Sequence, residues 1–305
     1  MTPRSAPTTP RPLSLSVVVA AHRLGDAVAE CVDTLGPQCL ASGAECLLVV
    51  TGRRPSRSLI EQVTPAVRVI DVGHDALTPM LWTYGIRESR GAVVALTTAD
   101  CMPRSDWVER IATAPWDEIA ALGGSFELAD GAPARSAAIF YQRYSAYLSD
   151  QSRRWVDDVA ADNAAYRRDC LDQCAETWAA GFWEPDVHRE LRGRGQRLLF
   201  DPALSVSYRH RGRVREMARQ RYLHGWWFGG RRVTGAAART RLLRVASTPA
   251  VPFVLLGRIL RRLAAHPRLS VRLIPALPLL WFYVLCWSCG ELRGYVQGPP
   301  DRPGC

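Results

Sequence analysis

The residues best suited to chemistry are carboxylates placed beside a strand end and beside aromatic side chains. Asp100 follows the apolar run Val93–Thr97, which puts its carboxylate just past the end of a strand. A carboxylate there can hold Mg²⁺ or Mn²⁺, and such an ion can neutralise the charge of a departing diphosphate. The same Asp could instead cap the turn Asp-Cys-Met-Pro that it opens. Glu184 starts a helical stretch after Gly-Phe-Trp, where Phe182 and Trp183 can strip water from a carboxylate and raise its pKa. An acid in a first helical turn is also favoured by the helix dipole, so both uses stay open. Nine cysteines show no regular framework. Cys286 and Cys289 have Cys-x-x-Cys spacing but lie in an apolar run without a second ligand pair.

These residues need a frame. Leu13–Ala21 is a Val-rich run suited to a buried strand, and Leu24–Leu35 follows with Val28, Cys31, Val32 and Leu35 on one helical face. Cys46–Val50, Val67–Val72 and Val93–Thr97 are further strands, with helices near Ser56–Gln62, Met80–Glu88 and Ser105–Ala112. Strands alternating with helices imply an α/β fold: a mainly parallel sheet flanked by helices. Ligands of such sheets bind outside the carboxyl ends of the strands, which singles out Ala20, Ala21, His22, Arg23, Thr51–Arg53 and Thr97–Pro103. After residue 115 the pattern changes. Ala120–Leu128 and Leu204–Arg209 read as strands, and Ala137–Leu148, Arg168–Thr177 and Glu184–Arg194 as helices. His188, one turn after Glu184, reads as a helix-surface residue.

All 39 basic side chains are Arg, and the formal net charge is +10. Residues 189–272 hold 20 Arg against three acids, Glu190, Asp201 and Glu216. A basic block can meet nucleic acid, anionic lipid or a phosphorylated ligand. This one runs into the most apolar part of the chain, which favours lipid. Arg213–Arg232 interleaves Arg with Tyr222, Trp226, Trp227 and Phe228, a mixture suited to a membrane interface or a lipid diphosphate. An amphipathic packing helix would read the same way. Val245–Gly257 (13 residues) is too short to span a bilayer, and Leu273–Gly290 (18 residues) sits at the lower limit. Pro275 and Pro278 interrupt the second run. With Pro249 and Pro252 in the first, a re-entrant hairpin stands beside the single span, as does a buried hairpin of a soluble protein. The opening residues 1–12 carry no apolar h-region and read as a disordered leader.

Four segments, LSVVVAAHRLGDAVAECVDTL, GIRESRGAVVALTTADCMPRSDWVERI, VAADNAAYRRDCL and GFWEPDVHRELRGRGQRLLFDPALSV, occur in the order found in family-2 glycosyltransferases. The chain resembles that family in its membrane-associated bacterial type, and the closing GELRGYVQG is similar to the end of membrane-bound members. The resemblance implies a GT-A domain at 13–235, with a nucleotide-sugar half at 13–115 and an acceptor half at 116–235. A membrane-associated helical region at 236–305 would follow. The implied activity moves a sugar from a nucleotide-sugar donor to an acceptor hydroxyl, with inversion, on a lipid-linked or cell-surface glycan precursor. Membrane lipids are implied partners, and the cytoplasmic face of the cell membrane is the implied location.

The resemblance also carries residue roles. It makes Glu184 the catalytic base, with Asp186 as its nearest rival, and Asp100 the ligand of Mg²⁺ or Mn²⁺. Donor contacts fall on Ala20, Ala21, His22, Arg23, Thr51, Thr83, Thr98 and Asp100; acceptor contacts fall on Asn163, Arg167, Arg168 and Trp183. Arg suits a diphosphate through bidentate contacts, although an Arg pair at a helix start can equally be solvated. The chain departs from the pattern in four places. Thr98-Ala99-Asp100 stands for Asp-x-Asp, Val50-Thr51-Gly52-Arg53 lacks the usual acid, and Thr83 stands for an Asn. Gln220 is followed by Arg-Tyr-Leu-His rather than x-x-Arg-Trp, which argues against polymerising activity. The departures leave a non-catalytic relative as the alternative. A dinucleotide-dependent oxidoreductase is disfavoured because no G-x-G-x-x-G follows the first strand, and nucleic-acid binding is not expected.

Overall fold

The computed structural model describes residues 14–22, 24–51 and 67–300. The expected leader, Arg23 and the helix near Ser56–Gln62 lie outside the described residues. The first half alternates as expected: β1 (Leu15–Ala21), α1 (Asp26–Ser42), β2 (Glu45–Val50), β3 (Val67–Asp71), α2 (Thr78–Glu88), β4 (Val93–Thr98), β5 (Cys101–Pro103) and α3 (Trp107–Ala112). Every residue of β1 is buried, because helices cover both faces and a Val-rich segment needs no polar side. Helix α1 buries Val28, Cys31, Val32 and Leu35 and runs on through Pro37 to a left-handed Gly43 at φ 67°.

The second half contains β6 (Ala121–Leu128), α4 (Ala134–Tyr144), β7 (Arg154–Val156), β8 (Asn163–Arg167), α5 (Arg168–Gln173), α6 (Ala175–Trp178), α7 (Glu184–Gly193) and β9 (Leu198–Tyr208). The sheet order is β3-β2-β1-β4-β8-β6-β9-β5, with β7 also on β9. Strands β1 to β4 pair in parallel, whereas β8 runs antiparallel to both β4 and β6. The sheet is therefore parallel in its first half and mixed in its second. Strand β9 extends well before the expected Leu204, since a bulge at Gly124/Ser125 absorbs the register shift around Pro202.

The helices after β9 are α8 (Val214–Val233), α9 (Ala238–Ser247), α10 (Val251–Leu263), α11 (Pro267–Leu273) and α12 (Leu277–Gln297). The 13-residue apolar stretch is not a separate short piece: Ala238–Leu263 forms one 26-residue helical run, and Val271–Gln297 a second of 27. Both are long and apolar enough to cross a membrane by length and composition. Pro278 does not break α12, because it falls in the first turn, where a missing N–H costs nothing. Helix α12 lies along α8 at glycine-lined contact. A Cβ on Gly290 would stand 2.0 Å from Tyr222 O, and one on Gly225 would stand 2.2 Å from Trp287 O. Both helices carry Gly-x-x-x-Gly, Gly225/Gly229 and Gly290/Gly294, which lets the backbones touch. The helical region is also tied to the sheet domain, with Tyr141 Oη donating to Leu269 O at 2.8 Å and Arg272 to Ala129 O at 2.9 Å.

Candidate active site

Two cavities meet above the carboxyl ends of the parallel strands. The first, of about 470 Å³, is lined by Ala20, Ala21 and His22 at the end of β1, Thr51 just past β2, Thr98 and Asp100 at the end of β4, and by residues of α8. This is the crevice that the strand order predicts, and its size suits a nucleotide-sized ligand. Thr51 Oγ1 accepts from Ala76 N at 3.0 Å and donates to His74 O, which holds the loop 74–76 against the strand ends. That loop brings Asp75 to the cavity wall, so an acid is supplied from outside the motif that lacks one. Sequence reading missed it, because it lies in a loop with no periodicity.

His22 stands at the wall of this cavity with its side chain open to solvent. Its Nε2 lies 2.9 Å from Thr78 Oγ1 and 3.2 Å from Gln220 Nε2. Desolvation by the surrounding cavity walls lowers its pKa to about 4, with the Asp100 charge opposing. Its ring can orient a ligand in the cavity.

Asp100 Oδ2 lies 2.8 Å from His210 Nδ1. The pairing of β5 with β9 explains the meeting: Cys101 is opposite Tyr208 and Arg209 N donates to Asp100 O at 3.0 Å, which leaves His210, the next residue, beside the Asp100 side chain. His210 Nε2 is buried without a hydrogen-bond partner. Among the described residues no group of three or more His, Cys, Asp or Glu gathers as a metal cluster. A carboxylate with an imidazole nevertheless fits a divalent ion that takes its other ligands from water and a bound diphosphate. His210 was not singled out in the sequence, since nothing local links it to a residue 110 positions earlier.

The second cavity, of about 380 Å³, contains Glu184, Asp158, Asp162, Arg143, Arg221 and His224, and α10 closes one side. Thr78 and Arg143 line both cavities. Glu184 opens α7 and accepts from Ala161 N at 3.1 Å. Burial and then the nearby Asp162 raise its pKa to about 7, despite the opposing Arg143. Asp162 is 1% exposed, pairs with Arg143 through Oδ2, and leaves Oδ1 buried and unpartnered. It sits one residue before the Asn that drew attention, and only the fold shows that it is the one facing the cavity.

Several sequence expectations are corrected here. Asp186 lines neither cavity; it is held by Arg189 at 2.8 Å and Arg231 at 2.5 Å, which removes it as a rival base. Thr83 is buried on α2, donating to Trp178 O and Pro79 O, and does not reach the first cavity. Asn163 is a framework residue: its amide donates to Ser125 O and Leu204 O, and Trp107 Nε1 donates to its Oδ1. Arg167 pairs opposite Val93, at the amino end of β4, so it and Arg168 stand at the wrong edge of the sheet for a diphosphate. Arg168 donates to the carbonyls of Ile86, Ser89 and Gly91 and fastens the end of α2. Trp183 lines neither cavity; it is 7% exposed and stacks on Trp227 with ring centres 5.4 Å apart. His188 is not on the surface but fully buried, bonded to Asp158 at 2.7 Å and to Tyr166 Oη at 3.0 Å.

No protein-family model matches the chain, and no curated protein does. Among solved structures it is similar to a mannosyltransferase from Pyrobaculum calidifontis in complex with GDP-mannose and Mn²⁺. The TM-score is 0.53 at 15% identity, over 95% of this chain and 90% of that one. A crystal structure of a mycobacterial protein aligns with a TM-score of 0.46 at 15% identity, over 70% of this chain and 73% of the other. The first likeness, joined to the sheet order and flanking helices, establishes a fold of the GT-A glycosyltransferase type.

Proposed function

We propose that the chain is a glycosyltransferase that takes a nucleotide-sugar donor in the first cavity and an acceptor hydroxyl in the second. The observation that carries the reading is the adjoining of the two cavities at Thr78 and Arg143, with Asp100 and His210 on one side and Glu184 on the other. The mannosyltransferase neighbour, holding GDP-mannose and Mn²⁺, supports a nucleotide-sugar donor and a divalent ion. A pKa near 7 suits a general base at physiological pH. In this mechanism Glu184 takes the acceptor proton while that oxygen bonds to the sugar anomeric carbon and the bond to the diphosphate breaks. Displacement from the opposite side inverts the anomeric centre. A divalent ion held by Asp100 and His210 would offset the charge on the leaving diphosphate. Arg143, kept in place by Asp162, stands where the two ligands meet and can face the negative charge between them.

Attachment to the cytoplasmic face of the cell membrane is part of the same proposal. Leu242, Leu243, Phe253, Val254, Val271 and Ile274 expose large apolar side chains on the last helices. Only 17% and 39% of the two apolar windows lie inside the protein, so most of that surface needs another cover. Because α12 packs on α8 and the region is bonded to the sheet domain, helices lying in the interface fit better than a detached span. Nucleotide sugars are cytosolic, and the Arg-rich block favours that leaflet. A lipid-linked or cell-surface glycan precursor is the acceptor class this placement supports.

The incomplete acidic motif favours one second reading, a non-catalytic binding protein. Full-length protein in detergent, screened with UDP-, GDP- and dTDP-sugars and membrane lipid extract, separates the two. Donor consumption that depends on the extract supports the transferase; its absence with every donor, in protein that still binds nucleotide, supports the binding protein.

A further inference from the structure

The second cavity holds more positive charge than its own carboxylates account for. Asp162 is taken by Arg143 and Asp158 by His188. Arg221, 3% exposed, lines the same cavity with its Nε buried and without a hydrogen-bond partner. Burial, and then the like charge of Arg143, pushes its pKa down to about 10, yet it stays protonated. His224 also lines the cavity, and its Nε2 is buried and unpartnered.

Helix α10 adds Arg258 and Arg262 to the opposite wall. They stand four residues apart on a helix whose only other charged residue is Arg261, and like charges at that spacing repel. Arg262 reaches Ser145 Oγ at 3.4 Å. Neither pairs with a carboxylate among the described residues; the groups facing Arg262 are Tyr147 and two other guanidiniums, Arg258 and Arg261. A buried guanidinium without a counter-ion, as at Arg221, costs free energy unless an anion joins it, and the exposed Arg258 and Arg262 are free to turn to the same anion. Arginine forks match phosphate oxygens through paired hydrogen bonds. Charged residues on an apolar helix turned to a cavity are the pattern of a ligand site.

We propose that the second cavity takes an acceptor bearing a phosphate or diphosphate, bound by Arg221, Arg258 and Arg262. The proposal rests on reading that cavity as the acceptor site and names the class of acceptor. Because α10 belongs to the apolar region, a phosphate attached to a lipid chain could enter from the membrane side with its head group at these arginines. A soluble sugar phosphate would offer the same oxygens without the chain.

The test uses full-length protein in a neutral detergent. Dodecyl phosphate is the lipid probe and inorganic pyrophosphate the soluble one, followed by tryptophan emission because Trp82 and Trp287 line the cavity. Saturable binding is expected, weakened roughly tenfold or more in Arg258→Gln/Arg262→Gln and in Arg221→Gln, with nucleotide affinity unchanged. A preference for dodecyl phosphate identifies the lipid-linked source. Pyrophosphate binding of equal strength, with the same dependence on arginine, identifies the soluble one. Arg221 is buried, so a loss of binding in its variant is not separable from a loss of fold, and the exposed Arg258/Arg262 pair decides. The proposal is overturned if neither probe binds, or if both bind that double variant as tightly as the wild type. Donor consumption is measured separately, so arginine-dependent binding without turnover would count against the transferase and not against the anion site.

Discussion

Arg143 and Asp162 form an ion pair at 2.5 Å where the two cavities meet, and the Asp side of it is almost wholly buried. Glu184 beside the pair holds its proton because it is buried and next to Asp162, with Arg143 acting in the opposite direction. Removing one partner should expose this dependence. Arg143→Gln leaves Asp162 buried and uncompensated, with an expected loss of about 3–5 kcal/mol. Arg143→Gln/Asp162→Asn should recover much of it. Denaturant unfolding of the single and double variants measures the coupling; additive losses would show that the pair does not act as a unit.

Glu184→Gln keeps the shape and removes the base. The expected fall in kcat is about 10²–10⁴-fold with donor binding nearly unchanged. Wild-type activity should rise with pH through about 7, and that limb should vanish in the variant. Turnover at the wild-type rate would remove Glu184 from the mechanism.

The same group has a consequence for stability. Its pKa is raised in the folded state from 4.5 to about 7, so between those values the folded protein binds more protons than the unfolded one. Stability from this group is full below pH 4.5 and is lost as pH rises through 7. Glu184→Gln should therefore raise Tm at pH 8 relative to wild type, and less so at pH 5. Thermal unfolding at both pH values checks the sign.

Asp100→Ala and His210→Ala should each weaken nucleotide-sugar binding and abolish stimulation by Mn²⁺ or Mg²⁺. Wild-type activity in excess EDTA would defeat the metal reading and leave arginines to stabilise the diphosphate.

The glycine contact between α8 and α12 predicts a contrast between two helical positions. Gly290→Ala drives a Cβ to 2.0 Å from a backbone carbonyl and should separate the helices, lowering Tm. Gly257→Ala meets nothing within 4 Å and should stabilise by about 0.5–1 kcal/mol. Equal effects would show that the helices do not pack this way. Cutting the chain near residue 240 is a poor test of membrane attachment, because it strips α12 from α8. The better one compares wild type with Leu242→Ser/Leu243→Ser/Phe253→Ser/Val254→Ser in flotation with anionic vesicles, where the variant should stay at the bottom of the gradient. Wild-type protein that is monodisperse without detergent and does not float would end the membrane reading.

The sequence by itself determined what short-range physics encodes. Val-rich runs broken by helical periodicity specified β1, α1, β2 and β4, and the strand ends then placed Ala20, His22, Thr51, Thr98 and Asp100 at one crevice. Glu184 was legible as the first residue of a helix behind two aromatic residues. Strand β8 was not, because the five residues Asn-Ala-Ala-Tyr-Arg carry too little periodic signal, and its pairing decided that Asn163 is framework and that Arg167 and Arg168 face the wrong end. The pairing of β5 with β9 brought His210 beside Asp100. Packing alone set Arg143 on Asp162, sank His188 into the core, and joined Arg221 to the arginines of α10. Helix and strand preferences act over a few residues, whereas these meetings span tens to hundreds of positions and exist only once the sheet has closed its pairings.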